Sequence, residues 1–296
     1  MVQTTLAIIA VLVLSGMTVG AQEDAGVVAE GAEPVLVQDE FAFTEGPARN
    51  AERSVVFSDV RASRRYHWAH RTGEISPVTE DTGAANGMFF APDGDLVVCE
   101  GGRGRMTAIS ADGGVEVIAG EYSGARFNAP NDVWVAPSGG VYFTDPLYGR
   151  GDLSQDGEHV YYIAPDGEVA RIIDWMVKPN GLIGTPDGKT LYITDPGAGE
   201  TWQFTVEEDG SLTERCLFVE HGGDGMTIDA EGNVYLATEG VMAFTSEGEL
   251  IEQIDLPVRP TNMCFAGPDL KTLFITARDS VFTVQMRVEG VVWHEQ

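Results

Sequence analysis

Six segments of the chain repeat one another. VVFSD ending at Asp59, LVVCE at Glu100, VYFTD at Asp145, LYITD at Asp195, VYLAT at Thr238 and LFITA at Ala277 recur at intervals of 41, 45, 50, 43 and 39 residues. A turn precedes most of them, as in APDGD, APSGG, TPDGK, DAEGN and GPDLK. Another strand and a second turn follow, as in HRTGE, SADGG, APDGE, EEDGS and TSEGE, and then a further β-rich stretch. Pro, Gly, Asp and Asn at these points are turn formers. Each unit therefore holds four short strands, and six such units predict an all-β, six-bladed propeller of four-stranded blades around a central channel. A sandwich or a solenoid does not need four strands in every unit. The strand PVLVQD (34–39) matches the outermost strand of a blade yet precedes the first one. It competes with GVVWHEQ at the C-terminus for the place that closes the ring.

Composition agrees. The chain has 296 residues, 43% hydrophobic, with 36 glycines, enough to bury a large core. The formal net charge is −28. Such a chain repels nucleic acid and anionic membrane and attracts cations. At the N-terminus, Leu6 to Leu14 is apolar but too short to span a bilayer. Val19-Gly20-Ala21 suits signal-peptide cleavage, although no Lys or Arg precedes Arg49. Residues 1–21 are expected to be a signal peptide, an uncleaved anchor being the alternative. Residues 22–33 are expected to be a flexible acidic leader, and 34–296 one propeller domain. This implies export, to a periplasm or beyond, with no membrane attachment after cleavage; no protein partner is implied. The three cysteines, Cys99, Cys216 and Cys264, form no CxxC. Cys99 and Cys264 lie in apolar strands and read as buried small hydrophobes.

Fourteen or fifteen residues before each repeated strand end stands a carboxylate or carboxamide: Glu45, Asn86, Asn131, Asn180, Asp224 and Asn262. Equivalent positions of a propeller converge on its axis, so six oxygen-bearing side chains should meet at one channel mouth. Two acids and four amides make a shell for a hard divalent cation, Ca²⁺ above all. Zn²⁺ usually takes His or Cys, and the ring has neither. Strand caps explain the glycines in these motifs but not Glu45, which is a poor turn former.

The segments TEGP, NGMFFAPDGDLVVCEGG, FNAPNDVWVAPSGGVYFTDPLYG, KPNGLIGTPDGKTLYITD, DGMTIDAEGNVYLA and PTNMCFAGPDLKTLFITA resemble the regucalcin/gluconolactonase family. The resemblance covers about residues 34 to 290. It implies a six-bladed propeller that hydrolyses lactones with one divalent cation in its channel. It places metal ligands at Glu45, Asn180 and Asp224, puts Asn131 at the metal or the substrate, and makes Asp224 the general base. One departure is Gly101, in CEGGRGRM, where many bacterial relatives have His. None of His67, His70, His159, His221 and His294 sits in the ring.

The expected reaction is opening of a lactone, sugar-derived or related, to its hydroxy acid. A cation, Ca²⁺ with Mg²⁺, Mn²⁺ or Zn²⁺ as alternatives, would polarise the carbonyl while a carboxylate takes a proton from water. Asp224 is the first candidate base. Asp145, at the end of a strand expected to point into the channel, is the second. Asn86, Glu100, Arg126, Asp145 and Tyr148 are expected to line the substrate pocket. The negative surface would help expel the anionic product. Two other readings use the same ring: a phosphotriesterase-like hydrolase, and a ligand-binding propeller whose Ca²⁺ is structural.

Overall fold

A computed structural model describes residues 26–149 and 151–293. The expected signal peptide, residues 1–21, lies outside them. Six four-stranded antiparallel sheets form a propeller. Blade 1 comprises Thr44–Arg49, Val55–Asp59, Arg64–Trp68 and Ile75–Glu80, and blade 2 Ala85–Phe90, Leu96–Glu100, Arg105–Ile109 and Val115–Ala119. Blade 3 comprises Val133–Val135, Val141–Asp145, His159–Ile163 and Val169–Ile173. Blade 4 comprises Leu182–Gly184, Thr190–Asp195, Glu200–Val206 and Leu212–Val219. Blade 5 comprises Met226–Ile228, Val234–Ala237, Val241–Phe244 and Leu250–Ile254. Blade 6 takes Asn262–Ala266, Thr272–Ala277 and Ser280–Gln285 from the end of the chain and Val35–Gln38 from its beginning. Among the described residues no helix is long and apolar enough to cross a membrane.

The ring therefore closes through the N-terminal strand. Val35 faces Thr283 and Leu36 faces Phe282 in antiparallel register. The C-terminal segment goes elsewhere. Gly290 bridges to Asp229, Arg49 Nη2 donates to the Val291 carbonyl at 3.3 Å, and Trp293 lies edge-on to Phe89 at 5.3 Å. It borders a channel cavity of about 500 Å³ that runs from Asp132 and Asn262 beside the polar ring towards the opposite end. The flexible leader expected over residues 22–33 needs correction where it is described. Val27 is 1% exposed in the core of blades 5 and 6, and Val28 N–H donates to Glu252 Oε2. The packing of Val27 and Val28 on that core outweighs the small, acidic composition that suggested disorder.

Burial runs outward from the axis. The repeated strands are the second strand of each blade, and Val55–Asp59, Leu96–Glu100 and Val141–Asp145 are buried at every position. Each lies between two neighbouring blades, so both faces are apolar. The outer strands are largely exposed, as in Ile75–Glu80.

The ends of the second strands tie the ring together. Asp59 accepts the amides of Ala42 and Phe43, Asp145 those of Asn128 and Ala129, and Asp195 those of Val177 and Lys178, all at 2.7–2.9 Å. Each carboxylate thus holds the loop that leads into its own blade's first strand. The preceding hydroxyl reaches the next blade: Ser58 to Asn86 O, Thr144 to Asn180 O and Thr194 to Gly223 O. Thr261 Oγ1 donates to Thr44 O at 2.8 Å and joins blade 6 to blade 1.

Replacing Asp195 by Ala leaves two amides without acceptors and should cost roughly 1–3 kcal/mol. Asp195→Asn, which keeps one acceptor oxygen, should cost less. Urea unfolding of both variants measures this; equal stability of Asp195→Ala and wild type would show that the clamp contributes nothing.

Candidate active site

The first strands of successive blades lie side by side around the axis, blade 6 against blade 1. Their backbones touch directly. Gly87 N–H donates to Asn131 O at 2.7 Å, Gly181 N–H to Asp224 O at 2.9 Å, and Gly225 N–H to Thr261 O at 2.7 Å. A Cβ at Gly87 would collide with Asn131 O and Asp132, and one at Gly181 with Asp224 O. The residue after each ring position is therefore Gly46, Gly87, Gly181 and Gly225 in four blades. Blade 6 has Met263 there, and blade 3 has Asp132.

Asp132 is the residue that the ring count passed over. It is 7% exposed; its Oδ1 accepts the Val133 amide at 3.0 Å and its Oδ2 the Asn262 Nδ2 at 3.3 Å. The signal was present in the sequence: an acid at the one ring-adjacent position where most blades need glycine.

Glu45, Asp132 and Asp224 thus converge at one mouth. Glu45 is 5% exposed and accepts the Gly46 amide at 3.1 Å. Burial pushes its pKa well above the carboxylate range, and repulsion from Asp224 and Asp132 adds to this. Asp132 is raised to about 7, chiefly by burial, with Asp224 contributing. Asp224 is raised to about 6 by burial, against the opposing effects of the Asn180 amide and Arg259. Burial and like charge both disfavour ionisation.

Asn180, 4% exposed, orders the other side. Its Nδ2 donates to Asp224 Oδ1 at 2.7 Å and to Tyr148 Oη at 2.8 Å. With both amide hydrogens so used, Oδ1 is left as the atom to offer a cation. Asn131 and Asn262 are 8% and 6% exposed at the same level. Tyr148 sits on the connection 146–158, which is far longer than 60–63, 101–104 or 196–199 at the same end. Lys178 Nζ pins its start, donating to Leu147 O and Glu158 Oε1 at 3.0 Å and lying over the Tyr148 ring. Asn128 pins its end: Oδ1 accepts the Ser154 and Gln155 amides and Nδ2 donates to Gly157 O.

Other expected pocket residues fall elsewhere. Asp145 does not point into the channel; it ends a second strand, and both oxygens accept loop amides, although burial raises it to about 7. That removes it as a second base. Glu100 lies between blades 1 and 2, bonded to Arg103, Arg105 and Thr107. Like Asp145, it ends a second strand, which stands outside the ring of first strands and so keeps it from the pocket. Arg126 donates to the carbonyls of Phe127 and Asn128. Asn86 stays in the ring, partly exposed, its carbonyl held by Ser58.

Among the described residues no three His, Cys, Asp or Glu groups form a metal cage by themselves. The set is mixed, carboxylates completed by amides, which suits an oxygen-seeking ion of loose geometry. Three buried acids that repel one another also fit a divalent cation, which would supply the missing positive charge. In chelator, these acids give the folded chain more bound protons than the unfolded chain between about pH 4 and 7. Stability should then fall as pH rises through that window, and excess Ca²⁺ should flatten the fall. Melting temperatures measured from pH 4.5 upward, with and without Ca²⁺, test this; stability rising with pH in chelator would contradict it.

Comparison with known proteins places the fold and the sequence in a family. The SMP-30/Gluconolactonase/LRE-like region matches residues 43–279. A gluconolactonase of Zymomonas mobilis subsp. mobilis is 30% identical over 292 residues, covering 86% of this chain and 82% of the relative. The structure of a gluconolactonase from Xanthomonas campestris superposes with a TM-score of 0.80 at 31% identity, covering 88% and 91% of the two chains. A calcium-binding regucalcin from Agrobacterium tumefaciens shares the fold, with a TM-score of 0.71 at 19% identity over 90% and 95%. By its motifs, its blades and these likenesses, the chain belongs to the SMP-30/gluconolactonase/LRE-like family.

Proposed function

We propose that this protein is a lactone-hydrolysing enzyme that depends on one divalent cation at the channel mouth. The observation that carries the reading is the convergence of Glu45, Asp132 and Asp224 beside Asn180. The gluconolactonase relatives supply the reaction class. Glu45, Asn131, Asn180 and Asp224 would hold the ion, with Ca²⁺ the best fit to an oxygen-only set and Mg²⁺, Mn²⁺ or Zn²⁺ as alternatives. When bound, the cation supplies Lewis-acid polarisation of the lactone carbonyl.

The side chains do the rest. Asp224 takes a proton from the water that attacks the carbonyl carbon. Asn180 orients it through the 2.7 Å bond from Nδ2. The acyl C–O bond of the ring breaks, the ring oxygen takes up a proton, and the product is a hydroxy acid. Tyr148 Oη accepts from Asn180, so its own proton is free to donate to a substrate oxygen. Tyr148 is 49% exposed, as a residue that meets substrate at the mouth must be. Nothing at the site favours phosphotriester cleavage or a purely structural ion over this reading.

Acid release from a panel of sugar and aliphatic lactones, followed by pH-stat, tests the proposal. Metal-stripped protein should be inactive and recover with a divalent cation. Asp224→Ala should lose about 10²–10⁴-fold in kcat, the usual contribution of a positioned base. Tyr148→Phe should mainly raise KM. Metal-independent turnover, or full activity of Asp224→Ala, would sink the proposal.

A further inference from the structure

Three arginines crowd one carboxylate where blades 1 and 2 meet. Arg65 is the cross-strand partner of Ser58, on the face of blade 1 turned toward blade 2. Ser58 Oγ donates across the junction to Asn86 O, and Arg65 Nε to Met88 Sδ at 3.2 Å. From blade 2, Glu100 presents a side chain only 6% exposed. Its Oε2 accepts Arg105 Nε at 2.8 Å and Arg103 Nη1 at 3.1 Å, and its Oε1 accepts Thr107 Oγ1 at 3.3 Å. Arg103 Nη2 also leans outward on the exposed Asp81 at 3.1 Å.

Glu100 is thus fully engaged, and Arg65 does not reach it. Arg65 is 6% exposed, and among the described residues its hydrogen bond goes to a thioether, a weak acceptor. Among the described residues its terminal nitrogens meet no carboxylate within ion-pair distance, and the one opposite charge that acts on it from further off, Glu100, is shared with Arg103 and Arg105. A guanidinium keeps its charge at any ordinary pH, and a buried charge without an ion pair of its own is costly. Only 18 residues of this −28 chain are Lys or Arg, yet three gather here around a single acid. The side chains of Arg103 and Arg105 are 37% and 31% exposed, so the junction reaches solvent through them, with Arg65 lying beneath.

We propose that this junction is an oxyanion site in which Arg65, with Arg103 and Arg105, binds a carboxylate, sulfonate or phosphate group. The planar guanidinium fork matches such groups in a bidentate manner. The site borders the channel mouth through Ser58 and the Asn86 carbonyl, so the anion comes from one of two sources. It is a free oxyanion, or it is an acidic substituent of the molecule processed at the mouth. Binding of the free ion does not depend on the lactonase reading.

The probe is inorganic sulfate, titrated into the whole protein at matched ionic strength while the melting temperature is followed. Wild type should show a saturable rise. Arg65→Met should weaken half-saturation about tenfold or more, in keeping with loss of a charge-assisted bidentate pair. Arg65→Lys, checked for folding by circular dichroism, should fall between them, since it keeps the charge and loses the fork. An unsaturating rise of equal size in all three proteins would overturn the proposal, because that is the general effect of an excluded salt. A second arm separates the sources. Sulfate that raises KM for a carboxylate-bearing lactone, and leaves a neutral lactone unaffected, assigns the site to a substrate group. Saturable, Arg65-dependent binding that affects neither KM assigns it to a free anion.

Discussion

Six sheets closed into a ring force their first strands together at the axis, and the structure follows from that contact. Gly87, Gly181 and Gly225 exist so that one blade's amide can reach the next blade's carbonyl. The same closeness brings Glu45, Asp132 and Asp224 within range of one another's charge. A propeller with wider spacing at the axis would leave each acid hydrated and ordinary. Fold and site are therefore one constraint: the contact that seals the ring also concentrates negative charge at its mouth.

The acids of this chain have three separate roles, which its bulk charge conceals. Asp59, Asp145 and Asp195 cap loop amides at the mouth end of the second strands. Asp93, Asp112, Asp166, Asp187, Asp209 and Asp269 each accept the amide two residues on, in turns at the opposite end. The ring acids Glu45 and Asp132 each accept one adjacent amide, and burial and like charge outweigh it. The charge of −28 therefore mixes acids of quite different roles. It says little about the mouth, where Arg259 acts on Asp224 and Lys178 lies over Tyr148.

Much of this was legible in the sequence because the repeat is strict. Strand number, blade number and the polar ring all follow from spacing, since each unit repeats one geometry. What escaped depends on contacts between units. VYFTD and its counterparts look like channel strands because they are the most apolar, yet they are apolar because two neighbouring blades cover them. That mistaken placement drew Asp145 into the pocket. Asp132 escaped because the count looked for what the blades share, whereas its importance lies in how blade 3 differs. The choice between the two terminal strands rests on pairing with Ser280–Gln285, a contact across almost the whole chain.

The central claim is that the converging carboxylates form a cation site that trades protons for metal. Calorimetric titration of metal-stripped protein with Ca²⁺ near pH 6, repeated in buffers of different ionisation enthalpy, tests it most directly. One ion per chain should bind with net release of protons, because acids raised by burial and mutual repulsion must ionise to hold it. Glu45→Gln should lose that binding with its β-sheet signal unchanged. Binding without proton release, or binding indifferent to Glu45, would contradict the account.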